Sequence, residues 1–229
     1  MNFSLVIPCF NEANNLPILM EKCKKVLENK DNEIVLVDNG STDNSESILK
    51  AYLNIYPNLK IVKIENNIGY GNGILKGLKA AKGTFLGWTH ADLQTNPEDA
   101  LKGLEFLKND HTFVKGRRYG RPLFDRIFTV FMSIFETILL GKRLSDINAQ
   151  PTIFSRKFFE TWENPPNDFS LDLFAYYFAK KNKLSIVRFP VFFGKRLHGI
   201  SHWNIDLRSK LKFINRTIKY SFKLRINLQ

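Results

Sequence analysis

The fold is decided by the stretch Ile34-Val35-Leu36-Val37-Asp38-Asn39-Gly40-Ser41-Thr42-Asp43, where an apolar run passes directly into a polar loop and a helix start. A short run of branched apolar residues is typical of a strand buried on both faces. Ser, Thr and Asp are residues that cap helices, and Asp43 is interpreted as such a cap. The stretch therefore predicts a strand, a loop and a helix, which is the repeating unit of a parallel sheet.

The same unit recurs through the first half of the chain. The predicted strands are Phe3–Ile7, Ile34–Val37, Ile61–Ile64, Thr84–Trp88 and Thr112–Val114, with helices near 14–29, 43–53, 71–81 and 97–108. The second half follows a different plan: a long apolar helix near 122–140, a turn with Pro151, a helix near 168–181, strands near 184–193 and a terminal helix from about 205. The pattern predicts an α/β fold with a mostly parallel central sheet and helices on both faces.

Length and composition limit the classes of protein to which the chain can belong. With 229 residues, 44% hydrophobic and 24% charged, it suits one folded domain and lies far from the composition of disordered segments. The net charge of +12 arises entirely after residue 114, since residues 1–114 carry 12 Lys/Arg against 14 Asp/Glu and residues 115–229 carry 22 against 8. This asymmetry argues against a nucleic-acid partner and favours anionic lipid or phosphate near the second half.

The chain shows no feature that would place it outside a reducing compartment. Its two cysteines, Cys9 and Cys23, cannot form a disulfide framework, and we expect no secretory signal at the start. The most apolar segment, Ile127–Leu140, is too short and too interrupted to predict a membrane span.

Polar loops follow the first four predicted strands. In an open parallel sheet the carboxyl ends of the strands meet at one edge, so we expect these loops to converge on one crevice. The glycines near 69–73 do not fit a dinucleotide-binding pattern, and there is no Gly-Lys-Ser/Thr phosphate loop. The loops read Pro8-Cys9-Phe10-Asn11-Glu12, Asp38-Asn39-Gly40-Ser41-Thr42-Asp43, Asn66-Asn67-Ile68-Gly69-Tyr70-Gly71 and His90-Ala91-Asp92-Leu93-Gln94.

These loops, in this order, resemble family 2 glycosyltransferases of the GT-A fold. Within the family the sequence looks like dolichyl-phosphate mannosyltransferases and bacterial polyprenyl-phosphate sugar transferases. The motifs that carry the resemblance are Val6–Glu12, Val37–Asp43, Asn67–Gly83, Ala91-Asp92-Leu93-Gln94 and Arg196-x-x-Gly199-x-Ser201. The resemblance covers residues 3 to 204 and implies a GT-A domain over 1–204, with a nucleotide-sugar half at 1–114 and an acceptor half at 115–204, followed by a basic amphipathic helix at 205–229.

The resemblance implies a nucleotide-sugar site in the first half. Asp38 can accept hydrogen bonds from a base or ribose, while Glu12, Pro8 and Phe10 would form the opposite wall. The alternative for Asp38 is a second helix cap. The residues implied to bind the nucleotide-sugar are Pro8, Phe10, Glu12, Asp38, Asn67, Gly71, Ala91 and Asp92.

A divalent metal, Mg²⁺ or Mn²⁺, is also implied. Asp92 takes the place of the second acidic residue of the family's D-x-D motif, and Gln94 can add a neutral oxygen. His90 stands where the first Asp would be, which leaves open whether it ligates metal, contacts phosphate or only packs against Trp88.

Phosphate-binding and catalytic residues are implied in the second half. Arg118 resembles the arginine that follows the fifth strand in relatives, Asp146 resembles the acidic residue of the acceptor loop, and Arg196 and Ser201 belong to the R-x-x-G-x-S segment. Asp168 and Asp172 lie where family 2 inverting enzymes place an acidic catalytic residue. The alternative for this pair is to cap the helix and orient Arg196.

Together these features predict an inverting hexosyltransferase that moves a sugar from a nucleotide-diphosphate sugar to an undecaprenyl- or dolichyl-type phosphate at the cytoplasmic face of a membrane. The alternative is a family 2 enzyme that adds a sugar to a saccharide or lipid-linked saccharide. From Arg208 onward seven Lys/Arg and no acidic residue lie beside apolar stripes, so we expect this helix, with the Ile127–Leu140 helix, to attach the protein peripherally to anionic lipid. A membrane-protein partner or a homo-oligomer remains open.

Overall fold

A seven-stranded sheet forms the centre of the protein, seen in a computed structural model that describes residues 2–199 and 207–226, with the side chains of the latter segment described from residue 214 onward. The strands are β1 (Phe3–Cys9), β2 (Asn32–Asn39), β3 (Leu59–Ile64), β4 (Phe85–Trp88), β5 (Thr112–Tyr119), β6 (Thr152–Ser155) and β7 (Ser185–Phe192). The helices are α1 (Leu16–Glu28), α2 (Ser45–Leu53), α3 (Tyr70–Ala80), α4 (Asp99–Leu104), α5 (Leu123–Leu140), α6 (Arg156–Glu160), α7 (Leu171–Lys181) and α8 (Leu207–Ile226).

The sheet order is β3-β2-β1-β4-β6-β5-β7, and every strand is parallel to its neighbours except β6. The predicted mostly parallel sheet is therefore confirmed. The sequence analysis did not foresee β6 or α6, because it placed only a turn around Pro151. Since β6 runs against its neighbours, the residues just before it, Gln150 and Pro151, reach the same edge as the carboxyl ends of the other strands.

Element bounds otherwise follow the hydrophobic pattern. Strand β2 extends beyond Ile34–Val37 because its polar flanks are buried too: Glu33 accepts a hydrogen bond from the Ser4 hydroxyl at 2.5 Å. Helix α4 is shorter than the predicted 97–108, ending at Leu104. The predicted strands near 184–193 form one strand, β7, which pairs along β5.

Two apolar layers cover the faces of the sheet. One contains α1 and buries both cysteines, Cys9 and Cys23, completely. The other contains α3 and α7, and the helix α8 contributes Tyr220 and Leu224 to it.

Helix α3 packs closely against β1 and β2 because glycine stands at the contact. A Cβ on Gly77 would lie 2.3 Å from a methyl group of Val6 and 2.9 Å from one of Val37. The first turn of α3 is similarly close to the segment before α7, where a Cβ on Gly71 would lie 2.6 Å from the carbonyl oxygen of Asp168. The amide of Asn72 donates to the carbonyl of Asn167 at 2.9 Å. Helix α3 thus holds the loop after β3 against the second half of the chain.

Candidate active site

The loops after β1, β2 and β3 meet, as the sequence analysis expected. The Asn11 amide donates to the Ser41 hydroxyl at 3.1 Å, and the Thr42 amide donates to the Asn11 side-chain oxygen at 2.8 Å. The side-chain amide of Asn39 reaches Asn67 Oδ1 at 3.4 Å and the Gly69 carbonyl at 3.1 Å. These bonds fix one polar crevice at the carboxyl edge of the sheet.

Asp38 is the penultimate residue of β2 and is buried. Its Oδ1 accepts a hydrogen bond from the Ser41 amide at 2.9 Å, so one carboxylate oxygen shapes the turn that precedes α2. Pro8 and Phe10 lie at the end of β1, and Ala91 is buried after β4. Asp43 accepts from the amides of Ala13 and Ser45 at 3.1 and 3.0 Å, which is the helix-start role expected of it.

Glu12 joins the first loop to the segment after β7. One of its oxygens accepts from the Asn15 side chain at 2.5 Å and the other accepts from the Arg196 guanidinium. Arg196 also donates to the His198 carbonyl at 2.9 Å. Burial raises the pKa of Glu12, and the Asn15 and Arg196 contacts act against that rise. Glu12, expected in a wall of the nucleotide site, and Arg196, expected to bind phosphate, are therefore ion-paired with each other.

The loop after β4 carries the implied metal residues. Asp92 Oδ1 accepts from the Gln94 amide at 3.2 Å, and the Gln94 side chain donates to the Gly194 carbonyl at 3.2 Å. Within the described ranges, no three His, Cys, Asp or Glu side chains cluster to form a complete metal cage. One carboxylate with a neutral oxygen nearby fits a cation that takes its remaining ligands from substrate phosphates and water.

His90 stacks on Tyr70, with ring centroids 5.4 Å apart. Tyr70 also stacks on Phe169, with ring centroids 4.6 Å apart and an angle of 10° between the ring planes. Tyr70, which the sequence analysis did not single out, therefore connects the metal loop to the segment that starts α7.

Asp172 lies in the first turn of α7 and is almost completely buried. It accepts hydrogen bonds from Gln150 at 2.7 Å and from the ammonium of Lys115 at 3.2 Å, while Lys115 also donates to the Thr152 hydroxyl at 2.7 Å. Burial lowers the pKa of Lys115 to about 8, against the opposing effect of Asp172. This arrangement makes Asp172 the counter-ion of a buried lysine.

Asp168 is half-buried at the mouth of the crevice. Its Oδ1 accepts from the Ser170 amide at 2.8 Å, which starts α7, and its Oδ2 lies 3.3 Å from Nε of Arg216 on α8. Neither Asp168 nor Asp172 contacts Arg196, whose carboxylate partner is Glu12.

Arg118 and Asp146 form the strongest ion pair at the end of β5. The Arg118 amide and its Nε each donate to the Asp146 carboxylate at 2.8 Å, and the Arg118 guanidinium lies over the Phe193 ring. Although burial acts the other way, Arg118 and Arg188 hold the pKa of Asp146 below its usual value. Arg121 and Arg188 lie 3.7 and 3.9 Å from the same carboxylate, so three guanidiniums share one acid.

The structure thus brings most of the expected residues to one edge of the sheet; Ser201 lies outside the described residues. The sequence analysis missed Asn39, Tyr70, Lys115 and Gln150, although two signals were available. A charged residue that directly follows the apolar run of a predicted strand, as Lys115 follows Phe113 and Val114, needs a partner if it is buried, although its sequence does not identify that partner. An aromatic residue in a glycine-rich loop, such as Tyr70, is also unusual.

Comparison with known proteins identifies the family. The model of glycosyl transferase family 2 matches residues 4–160. The chain is 30% identical over 162 residues to an undecaprenyl-phosphate 4-deoxy-4-formamido-L-arabinose transferase of Pectobacterium atrosepticum, covering 68% of this chain and 49% of that protein. It is 32% identical over 119 residues to a dolichol-phosphate mannosyltransferase of Pyrococcus furiosus, covering 52% and 34%. The chain therefore spans about half the length, or less, of these curated relatives.

Solved structures share the fold at low identity. Glucosyl-3-phosphoglycerate synthase of Mycobacterium tuberculosis, solved with Mn²⁺ and UDP, superposes with a TM-score of 0.72 at 15% identity, covering 98% of this chain and 79% of that one. The mannosyltransferase PcManGT of Pyrobaculum calidifontis, solved with GDP-Man and Mn²⁺, gives 0.71 at 16% identity, covering 97% and 64%. The architecture is thus that of GT-A glycosyltransferases, and the chain belongs to glycosyltransferase family 2.

Proposed function

We propose that this chain transfers a hexose from a nucleotide-diphosphate sugar to a polyprenyl phosphate, with inversion at the anomeric carbon. The single observation that carries the proposal is one continuous sheet edge with a polar crevice at the first loops and a cluster of guanidiniums at the end of β5. The polar crevice offers hydrogen-bond partners for a nucleotide-sugar, and the guanidinium cluster offers positive charge for an anionic acceptor. The curated relatives named for undecaprenyl-phosphate and dolichol-phosphate transfer support the same acceptor class.

In the donor half, Asp38 would accept hydrogen bonds from the nucleoside, with Pro8, Phe10, Asn67, Gly71 and Ala91 forming the surrounding walls. Asp92 and Gln94 would hold Mg²⁺ or Mn²⁺, and His90 would stay against Tyr70. When bound, the metal neutralises the charge that develops on the leaving diphosphate. Arg196 would release Glu12 and bind a phosphate oxygen of the donor instead, since a carboxylate and a phosphate both accept hydrogen bonds from a guanidinium through negatively charged oxygens.

In the acceptor half, Arg118 and Arg121 would bind the lipid phosphate beside Asp146, which keeps the guanidiniums aligned. A phosphate monoester is already an anionic nucleophile, so the reaction needs little proton removal by a base. The buried pairing of Asp172 with Lys115 accordingly supports a positioning role for Asp172, while Asp168, at the mouth of the crevice, would orient the acceptor. We place this chemistry at the cytoplasmic face of a membrane.

The test is an acceptor assay with labelled donors. Thermal-shift screening against UDP-, GDP- and dTDP-sugars with Mg²⁺ or Mn²⁺ first selects the donor. Transfer of its radiolabel into a lipid monophosphate that mild acid cleaves is the expected result. Label that appears only in an acid-stable saccharide or lipid-linked saccharide would overturn the proposed acceptor while leaving sugar transfer intact.

A further inference from the structure

Helix α5 exposes large apolar side chains along one face. Phe124 is 85% exposed, Phe131 68% and Ile138 75%. Their neighbours on the same face recur at helical spacing, so they form one stripe along the 18-residue helix. We call this stripe the α5 apolar face: Phe124, Ile127, Val130, Phe131, Ile134 and Ile138.

The opposite side of α5 is already occupied by the body of the protein. Ser133, Glu136 and Leu140 are buried, and α8 packs along this side, where its Ser221 hydroxyl donates to Glu136 at 2.7 Å. The α5 apolar face therefore has no role in the core that the structure describes. Contiguous exposed apolar surface of this kind marks an interaction site on a soluble domain.

Cationic side chains surround the α5 apolar face. Arg126 lies on the helix itself, Lys142 and Arg143 directly follow it, and Arg117 lies on the adjoining strand end, all of them exposed. Together with α5, Arg117, Arg126 and Arg143 line an open cavity of about 450 Å³. The nearby acid Asp146 is neutralised by Arg118. The surface thus combines an apolar centre with a positive border.

We propose that α5 lies in the interface of an anionic bilayer, parallel to its plane, with the α5 apolar face among the acyl chains and the surrounding Arg and Lys side chains at the headgroups. At about 1.5 Å per residue the helix would lie about 27 Å along the surface. Amphipathic helices with such a border bind anionic lipid both by apolar burial and by electrostatic attraction. No helix among the described residues is long and apolar enough to cross a membrane.

Charge complementarity selects the bilayer over a second copy of the chain. Face-to-face pairing would bring Arg126, Lys142 and Arg143 of each copy close to the same residues of the other, with little acidic surface to compensate. An anionic lipid surface instead neutralises all of them.

The inference deepens the proposed function, since a polyprenyl phosphate is presented by a bilayer. It also revises which helix carries the contact. The sequence analysis gave the principal role to the terminal helix, yet Tyr220, Ser221 and Leu224 of α8 face the core. Among its described side chains only Phe222 and Ile226 are large, apolar and well exposed. Helix α8 would therefore add a smaller apolar area to the bilayer contact than α5 does.

The experiment measures co-sedimentation of the full chain with vesicles of phosphatidylcholine and phosphatidylglycerol, without donor or acceptor. The double variant Phe124→Gln/Phe131→Gln removes apolar area from exposed positions, and we expect binding to fall roughly tenfold or more. The matched control is Ile55→Gln/Ile68→Gln, which changes side chains 60% and 63% exposed in the first half and should bind as the unaltered chain does. Binding should also weaken in pure phosphatidylcholine and at high salt.

A second readout locates the contact directly. The chain contains three tryptophans of its own, so each variant is compared with the unaltered chain: Phe131→Trp should add fluorescence that brominated lipid quenches, whereas the fluorescence added by Ile68→Trp should not be quenched. Equal loss of binding in both double variants, quenching at Ile68→Trp alone, or no vesicle binding at low salt would overturn the inference. A dimer in light scattering that the Phe124→Gln/Phe131→Gln variant dissociates would assign the face to a second copy instead.

Failure of the proposed function remains distinguishable from failure of this inference. With a short, water-soluble isoprenyl phosphate, the Phe124→Gln/Phe131→Gln variant should transfer sugar as fast as the unaltered chain, and only transfer to a long-chain acceptor in vesicles should drop. If vesicle binding behaves as expected while no isoprenyl phosphate is glycosylated, the membrane contact of α5 is supported and the proposed polyprenyl-phosphate acceptor is wrong.

Discussion

At the scale of single residues, the site combines positions that a sequence reveals with positions that it conceals. The positions of Asp38 and Asp92 at the carboxyl edge of the sheet were predictable because each follows the apolar run of a predicted strand. Lys115 was not, because its partner Asp172 lies 57 residues further along the chain and the pairing exists only once β5 and α7 have packed together.

Replacing Lys115 with methionine tests that pair. Lys115→Met leaves Asp172 buried without its counter-ion, and breaking a buried pair costs about 3–5 kcal/mol of the free energy of unfolding. The double variant Lys115→Met/Asp172→Leu should recover most of that loss, since it buries no uncompensated charge. Urea denaturation of the three proteins measures the difference; a double variant no more stable than the single one would contradict the assignment.

The metal loop gives the second prediction at this scale. Asp92→Asn removes the negative charge that would hold the cation against the diphosphate, so we expect the activation free energy of transfer to rise by on the order of 3 kcal/mol, and the rate to fall accordingly, with the fold unchanged. Asp110→Asn, in a surface pair with Lys157, is the control and should keep its rate. Initial rates and melting temperatures are compared. Full activity of Asp92→Asn together with resistance to EDTA would refute metal use.

At the scale of elements, the spacing of hydrophobic residues predicted most helices and strands but not which elements pack against one another. The four-residue run of β6 is too short to distinguish from a loop, and it becomes a strand only because β4 and β5 supply hydrogen bonds on both sides. The terminal helix shows the same limit. Its sequence offers several apolar stripes, and the packing of α8 on α5 decides that the one with Tyr220 and Leu224 faces inward.

The contact between α5 and α8 should depend on pH through Glu136. Its side chain is fully buried, its Oε2 has no hydrogen-bond partner in the part of the chain that the structure describes, and burial raises its pKa to about 7 from 4.5, against the bond from Ser221. Between pH 4.5 and about 7, Glu136 therefore stays protonated in the folded state, whereas in the unfolded chain it releases the proton. The contribution of Glu136 to stability is present below pH 4.5 and is lost as pH rises through about 7.

Glu136→Gln should remove this dependence, since glutamine does not titrate. We expect the difference in melting temperature between Glu136→Gln and the unaltered chain to grow in favour of the variant as pH rises from 5 to 8. Glu160→Gln, at an exposed position, should follow the unaltered chain across the range. If melting temperature changes with pH in the same way for all three proteins, the raised pKa of Glu136 is contradicted.

At the scale of the whole molecule, the first half and the second half meet at the start of α3. The Asn72 amide donates to the Asn167 carbonyl, and Tyr70 stacks on both His90 and Phe169, so the loop after β4 and the start of α7 share one support. Two sequence segments about a hundred residues apart are thereby held in one geometry. Motif order predicted that both would belong to the site, but the close backbone approach that joins them could not be inferred from either segment alone.

Gly71→Ala tests this junction. The added Cβ would lie 2.6 to 2.8 Å from backbone atoms of residues 166–168, so the loop must shift, at a cost of about 1–3 kcal/mol in unfolding free energy. Transfer should fall as well, because Tyr70 moves with the helix start. Lys76→Ala, on the exposed side of α3, should change neither quantity. A stable Gly71→Ala variant with full activity would show that the two halves need no fixed distance.

The complete burial of both cysteines has a practical consequence for experiments on this protein. Burial raises the pKa of the Cys9 and Cys23 thiols, so neither forms the reactive thiolate readily, and neither is accessible to a reagent. The sequence contains no other cysteine. A cysteine introduced by Phe131→Cys would therefore be the one thiol that a maleimide dye or a nitroxide modifies in the folded protein, and spectroscopic depth measurements on α5 can start from the natural sequence without first replacing any residue.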